Sequence, residues 1–157
     1  MALATFITIT ILLFWFFVLI RKRLSLIQNS ILFMAMGIIT RNYLTIMILQ
    51  LGKIKISENH TLFASLLIYR DLIIPLVTLI FMNIQLGTSG WERKLLQFIW
   101  AALFIVSMDF LLVYFKVIQF TGWNLVYEGI VDIAYLLISL VVVKILMYLH
   151  RWESRRK

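Results

Sequence analysis

The chain has 157 residues, of which 63% are hydrophobic and 14% are charged, and its mean hydropathy is +1.00. Soluble domains carry about a quarter charged residues, so this composition excludes an ordinary soluble fold and predicts a single integral membrane domain over residues 1–157. The chain has no cysteine, which excludes disulfides, thiolate metal sites and cysteine nucleophiles. Its net charge of +8 comes from cations that flank apolar segments, so we expect the lipid bilayer as a partner and not nucleic acid.

Five apolar segments are long enough to span a membrane. A helix needs about 20 apolar residues to cross a bilayer, and residues 2–20, 24–51, 61–86, 95–115 and 125–149 meet that length. The first run precedes its basic residues, which is the reverse of a secretory signal peptide, so we interpret it as a retained helix. Because the connections are short, neighbouring helices should pack antiparallel. The predicted fold is an all-α integral membrane bundle of about five transmembrane helices.

The distribution of Lys and Arg outside these segments predicts an orientation. Cytoplasmic loops carry an excess of Lys and Arg, and nine such residues fall on one side against three on the other. The arrangement predicts the N-terminus outside and the C-terminus inside. The larger set is Arg21, Lys22, Arg23, Arg93, Lys94, Arg151, Arg155, Arg156 and Lys157, and the smaller set is Lys53, Lys55 and Lys116.

Several charged residues fall inside the predicted spans. A charge that faces lipid near the bilayer centre costs at least about 2.5 to 3.5 kcal/mol, so these residues should be paired, hydrated or close to an interface. Counting about 1.5 Å per residue from the outer ends of the spans places most of them in one layer, roughly 10 to 17 Å deep. We therefore expect an interior charge cluster, with Glu128 nearest the outer mouth, formed by Arg41, Arg70, Asp71, Asp109, Glu128 and Asp132.

Helical spacing supports this convergence. A single polar stripe on the last helix is predicted, because its members follow one another at intervals of 4, 3 and 4 residues. Gly37 lies one turn before Arg41 and would let another helix approach closely. Pro75 removes the hydrogen bond to the carbonyl of Asp71 and predicts a kink beside that carboxylate. The stripe consists of Glu128, Asp132, Tyr135 and Ser139.

The cluster has two interpretations. In one, the charges tie the helices together; in the other, they form an ion or proton path or a polar-ligand cavity, as intramembrane ionisable groups often do. The position of Arg41 depends on the second span, because this residue would lie at the outer interface if the span ended near Thr40. The chain contains no HExxH, GxSxG, P-loop or GxGxxG arrangement, so we expect no enzyme, no cofactor and no metal site.

The expected function is a non-enzymatic structural or accessory membrane subunit, alone as a homo-oligomer or with a partner membrane protein. The alternative is a small transporter or an ion- or proton-conducting component that uses the intramembrane carboxylates.

Two stretches carry a family resemblance. The closing segment YFKVIQFTGWNLVYEGIVDIAYLLISLVVVKILMYLHRW and the segment RDLIIPLVTLIFMN at residues 70–83 resemble a family of small, uncharacterised multi-pass membrane proteins of endospore-forming Bacillota. The resemblance covers about a third of the chain. It implies the bacterial inner membrane and carries over no catalytic residues.

Overall fold

The computed structural model describes the backbone of residues 1–154 and the side chains of residues 1–149. Much of the basic C-terminal tail used to predict orientation, from Arg151 onward, therefore lies outside the described side chains. In chain order the elements are helix α1 (Ala2–Leu19), helix α2 (Leu26–Thr45), strand β1 (Ile54–Ile56), helix α3 (His60–Ile68), helix α4 (Ile74–Gly87), helix α5 (Trp91–Tyr114), strand β2 (Ile118–Phe120) and helix α6 (Leu125–Ser154).

Two π-helical turns extend these helices. One, Ile46–Gln50, continues α2, and the other, Tyr69–Ile73, joins α3 to α4. The described part of the chain thereby forms five helices that are long and apolar enough to cross a membrane, which confirms the prediction of five such helices. They are Ala2–Leu19, Leu26–Gln50, His60–Gly87, Trp91–Tyr114 and Leu125–Leu149.

The start of α5 differs most from its expected position. This helix begins at Trp91 and not at residue 95, because the charged residues of its first turn lower the local hydropathy without preventing helix formation. Gly90 precedes the helix with φ +94°, and Glu92 lies in the first turn, where a negative charge is favourable beside the positive end of the helix dipole. Hydropathy locates the apolar span and not the ends of the helix.

The helix formed by α3, its π-helical turn and α4 lies at the centre of the bundle. In its most apolar window 72% of the residues are buried, against 11 to 28% in the other four. Ten consecutive residues, Ile74 to Asn83, are buried, so this segment has no outward face. Helices α1, α2, α5 and α6 contact α4 and leave large apolar side chains exposed on their other faces. A helix that is buried all round is typical of the core of a bundle.

One end of the bundle, here called the basic end, contains the turn between α1 and α2 and the turn between α4 and α5. Helix α2 starts with a capping box, in which Ser25 Oγ accepts a hydrogen bond from the Gln28 N–H at 3.2 Å and Gln28 Oε1 accepts one from the Ser25 N–H at 2.9 Å. This cap ends the basic triplet and turns the chain back into the bundle. The triplet is Arg21, Lys22 and Arg23.

The opposite end, here called the strand end, is closed by a short antiparallel sheet. Ile54 pairs with Phe120 and Ile56 pairs with Ile118, and both Ile54 and Ile118 are buried. The sheet was not predicted, because each strand has only three residues and follows a span that hydropathy already accounts for. It joins the connection after α2 to the connection after α5, so that the two loops form a lid.

A π-helical turn, Tyr69–Ile73, lies shortly before Pro75. Proline removes one backbone donor from the helix, and the Ile74 N–H bonds to the carbonyl of Tyr69, five residues earlier. The wider turn adds one residue between α3 and α4. Such π-helical insertions occur frequently at functional sites.

Candidate functional site

The six charged residues predicted to meet form two separate groups, so the expectation of one interior cluster needs correction. Asp109, Glu128 and Asp132 are buried inside the bundle. The others form a lateral charge group on the perimeter, where side-chain exposure is 63% for Arg41, 14% for Arg70 and 29% for Asp71. Among the described side chains, both ion pairs involve Asp71. The cations therefore do not neutralise the interior acids by direct contact.

Helix geometry explains the division. Thr40 is buried and Arg41, the next residue, is exposed. Likewise Tyr69 is buried, whereas Arg70 and Asp71 lie at the partly exposed surface. Consecutive helical residues point about 100° apart, so neighbours at one level occupy different faces. Counting residues along a span gives the level of a side chain but not the face on which it lies.

The interior group is built around two aspartates. Tyr69, from the π-helical turn, donates its hydroxyl hydrogen bond to Asp109 Oδ1 on α5. Asp109 and Asp132 line the same small cavity. Each aspartate also has a buried oxygen, Oδ2, without a hydrogen-bond partner among the described residues. Two neighbouring carboxyl groups can share a hydrogen bond only when one of them carries a proton. A proton on this pair would therefore supply a donor that the two unpartnered oxygens lack.

Glu128 occupies the side of the interior group nearest the strand end. Its Oε2 atom accepts two hydrogen bonds, one from the Tyr43 hydroxyl at 2.8 Å and one from Trp123 Nε1 at 2.8 Å. Tyr43 comes from α2, and its ring meets the ring of Tyr135 edge to face, with centroids 5.9 Å apart. Aromatic pairs of this geometry stabilise packing beyond the area they bury. Neutral aromatic donors thus take the place of cations around this carboxylate.

We call this interior group the acid–aromatic cluster. It encloses a cavity of about 10 Å³, which is about the room that one water molecule needs. Ile118 of the strand lid also lines the cavity, so the lid separates the cluster from the strand end. The cluster consists of Asp109, Glu128, Asp132, Tyr43, Tyr69, Tyr135 and Trp123.

The polar stripe predicted on α6 is buried in full. Glu128, Asp132, Tyr135 and Ser139 are all buried, and the first three line the cavity. Ser139, one turn deeper, donates its hydroxyl hydrogen bond to the Leu136 carbonyl at 2.7 Å. Three residues of the stripe, Glu128, Asp132 and Tyr135, are therefore the part of α6 that belongs to the cluster.

Gly37 does not have the role expected of it. A Cβ atom added there would meet no described atom within 4 Å, so none of the other described helices packs closely against it. The glycine instead lies in an open groove beside Arg41.

A second buried polar network lies at the basic end. Asn83 Oδ1 accepts hydrogen bonds from the Arg23 and Leu24 N–H groups at 2.8 and 3.2 Å. Its Nδ2 donates to Asn29 Oδ1 at 2.8 Å and to the Leu79 carbonyl at 2.9 Å. This network ties the turn between α1 and α2 to α4. Its amide groups are satisfied, in contrast to the aspartate pair.

Sequence reasoning missed the aromatic partners and both asparagines. Tyr43, Tyr69 and Trp123 look like ordinary interfacial or core aromatics, since their spacing gives no sign of a shared acceptor. Asn29 and Asn83 are more conspicuous, because a neutral amide within an apolar helix needs a buried partner. Pairing the two required knowledge of which helices are neighbours.

The fold and the site together define a bundle of five long apolar helices that encloses a small cluster of carboxyl and aromatic groups. Within the described residues, no three His, Asp or Glu side chains form a group that could hold a metal ion. Comparisons of the chain with protein-family models, with curated proteins and with solved structures found no match. A function for this chain is therefore inferred from the geometry of the cluster.

Proposed function

We propose that this protein is a non-enzymatic multi-pass membrane protein whose acid–aromatic cluster takes up and releases a proton, as a component of proton-coupled transport or conduction. The proposal concerns the aspartate pair, Asp109 and Asp132, with Tyr69 as the hydroxyl group in contact with it. Glu128 and its aromatic donors form the side of the cluster nearer the strand end.

One observation carries this proposal: the two adjacent buried carboxyl groups each keep an oxygen without a partner, and no Lys or Arg among the described residues forms an ion pair with either. A buried charge without a paired cation is strongly unfavourable. A proton on the pair relieves that cost and supplies the missing hydrogen. The enclosed volume, about 10 Å³, suits a proton or a single water better than a larger ligand.

The contrast with the asparagine network also favours a chemical role. Asn29 and Asn83 connect elements through neutral groups with their hydrogen bonds satisfied. A purely structural tie needs nothing more than this. Ionisable groups that are less completely satisfied are unfavourable for stability, and such groups in membrane spans often belong to proton relays.

The second candidate is the structural or accessory subunit that the sequence favoured. It is supported by the contacts of the carboxyl groups, since Tyr69 reaches α5 and Tyr43 reaches α6 through hydrogen bonds. In this alternative the pair keeps one proton permanently, and the cluster only holds helices together.

Infrared spectroscopy of the protein reconstituted in lipid vesicles distinguishes the two candidates. A protonated carboxyl group has a carbonyl stretching band that disappears when the proton leaves. We expect this band to titrate with pH in the wild type and to decrease in Asp132→Asn. Asp71→Asn is the control, because its carboxylate belongs to the lateral charge group. A band that is present at every pH would reject proton release and leave the structural alternative.

Proton movement is tested in the same vesicles with a pH-sensitive dye inside. We expect an imposed pH gradient to decay faster with wild-type protein than in empty vesicles, and the difference to be lost in Asp109→Asn. Elution volume and helix content of the variant show whether it still folds. Equal decay with wild-type protein and with empty vesicles would reject conduction by this chain alone.

The proposed location is a bacterial cell membrane, with the N-terminus and the strand end outside and the basic end inside. The charge distribution supports this orientation, and the family resemblance supports the type of membrane. Single cysteines introduced into this cysteine-free chain test it. A membrane-impermeant thiol reagent added from outside should label Ser57→Cys and spare Ser89→Cys, and the opposite labelling would invert the orientation.

A further inference from the structure

The lateral charge group has an excess of positive charge, and that excess lies on Arg41. Arg70 donates two hydrogen bonds to Asp71, from Nε to Oδ1 at 2.8 Å and from Nη2 to Oδ2 at 3.0 Å. This two-point contact satisfies the carboxylate well. Arg41 reaches the same carboxylate through one contact, from Nη2 to Oδ2 at 3.3 Å. Two cations share one anion, so the group has a formal net charge of +1.

Arg41 borders an amphipathic groove on the outside of the bundle. The groove has a volume of about 350 Å³, with Arg41, Asn42 and Asp71 at its polar end. The remaining wall is apolar and extends along α2 towards the basic end. From Arg41 to Phe33 this wall measures about 12 Å, at about 1.5 Å per residue. The apolar wall consists of Phe33, Met34, Gly37 and Ile38.

The absence of a side chain at Gly37 keeps the groove open. A Cβ at this position would have no neighbour within 4 Å among the described atoms, while Met34 and Ile38 on either side of it are largely exposed. A narrow, extended apolar ligand can therefore lie against the backbone of α2. The shape suits an acyl chain, and the exposed guanidinium at one end suits an anion.

We propose that this groove binds an anionic phospholipid, with its phosphate on Arg41 and Asn42 and one acyl chain along Phe33, Gly37 and Ile38. Guanidinium groups bind phosphate through paired, charge-assisted hydrogen bonds. A second copy of the chain fits less well, because a symmetric contact would bring two groups of net charge +1 together. The inference is independent of the proton chemistry of the acid–aromatic cluster. It rests on the proposed membrane location.

Lipid binding to the protein in mild detergent tests the inference, with native mass spectrometry to count bound lipids. The probes are phosphatidylglycerol and phosphatidylcholine with the same oleoyl chains. We expect the wild type to bind phosphatidylglycerol preferentially and Arg41→Gln to lose that preference, with about a tenfold weaker affinity for phosphatidylglycerol. Lys55→Gln is the matched control, since it removes one exposed cation from the strand end without touching the groove.

A second variant tests the binding of the acyl chain. A Cβ atom at position 37 meets no described atom within 4 Å, so we expect Gly37→Leu to fold, to fill the groove and to weaken the binding of both lipids to a similar extent. Glycerol phosphate, a headgroup without chains, should not compete.

Three results would overturn the proposal. The first is unchanged phosphatidylglycerol binding in Arg41→Gln, and the second is competition by glycerol phosphate at concentrations similar to those of the lipid. The third is efficient disulfide cross-linking of Ile38→Cys between two copies in vesicles, because the groove would then be a protein interface. Cysteine labelling at Ser57→Cys and Ser89→Cys reports membrane insertion separately, so a failed location is distinguishable from a failed lipid site.

Discussion

The acid–aromatic cluster and the lateral charge group start from the same turns of the same helices, yet they satisfy their charges differently. Thr40 and Tyr69 line the interior cavity, while their neighbours Arg41, Arg70 and Asp71 form ion pairs on the perimeter. Inside, carboxyl groups meet hydroxyl and indole donors. Outside, a carboxylate meets two guanidinium groups.

The difference follows from the cost of burying ions. Taking two opposite charges into an apolar interior carries a desolvation penalty that their attraction does not always offset. In the proposed membrane location, long Arg side chains at the perimeter can extend towards the polar headgroups while their stems remain in the apolar region. A carboxyl group in the interior can instead be neutralised by a proton, which needs no additional side chain. In the function proposed above, the two regions thus separate ion pairing from proton binding.

The largest effect is expected from the carboxylate that accepts two hydrogen bonds. Glu128→Leu removes the acceptor of both Tyr43 and Trp123 and leaves two donors unpaired in a part-buried site. Side-chain hydrogen bonds inside helix bundles contribute about 0.6 to 2 kcal/mol each, so the free energy of unfolding should fall by about 1 to 4 kcal/mol. Thermal unfolding in detergent measures the change.

Glu128→Gln is the matched control for that substitution. Both donors bind the same oxygen, Oε2, and the single amide oxygen of Gln can accept both bonds. The control should unfold close to the wild-type temperature. If Gln and Leu destabilise equally, the hydrogen bonds to Tyr43 and Trp123 do not stabilise the interior.

A smaller effect is expected at the aspartate pair. Tyr69→Phe removes the hydroxyl that donates to Asp109 and keeps the ring, which contacts Phe6 edge to face at 6.3 Å. The free energy of unfolding should fall by about 0.6 to 2 kcal/mol. The same unfolding assay measures it, and Tyr127→Phe, at an exposed residue, should change little. An equal loss in both variants would mean that the hydrogen bond from Tyr69 to Asp109 does not contribute measurably to the free energy of unfolding.

The sequence was sufficient to predict the helices but not the division of charges between the two regions. Hydropathy finds long apolar helices because lipid excludes unpaired backbone groups, and five were expected where five occur. The 4, 3, 4 spacing also identified the buried stripe on α6, from Glu128 to Ser139. The hydropathy of a span and the spacing of this stripe each depend on the sequence of a single helix.

Features that depend on two helices could not be predicted in this way. Whether Arg41 and Arg70 face the interior or the perimeter depends on how α2 and the central helix are rotated against their neighbours. Counting residues along a span gives only the depth of each side chain. The partners of Glu128 come from α2 and from the loop before α6. The strand lid joins connections more than 60 residues apart, Ile54 to Phe120. None of these contacts leaves a periodic signal in the sequence.

The smallest effect on stability is expected at the lateral charge group. Asp71→Asn removes the anion from both ion pairs, but its partners are partly exposed, and exposed ion pairs contribute about 0 to 1 kcal/mol. The free energy of unfolding should therefore fall by less than about 1 kcal/mol, less than for Tyr69→Phe, although Asp71 contacts two cations and Asp109 contacts none among the described side chains. The substitution also raises the formal charge of the group from +1 to +2, so phosphatidylglycerol binding should strengthen. Unfolding and lipid binding measured on one preparation test both effects. A large loss of stability without a gain in lipid binding would mean that the perimeter charges, and not the hydrogen bonds of the acid–aromatic cluster, hold the bundle together.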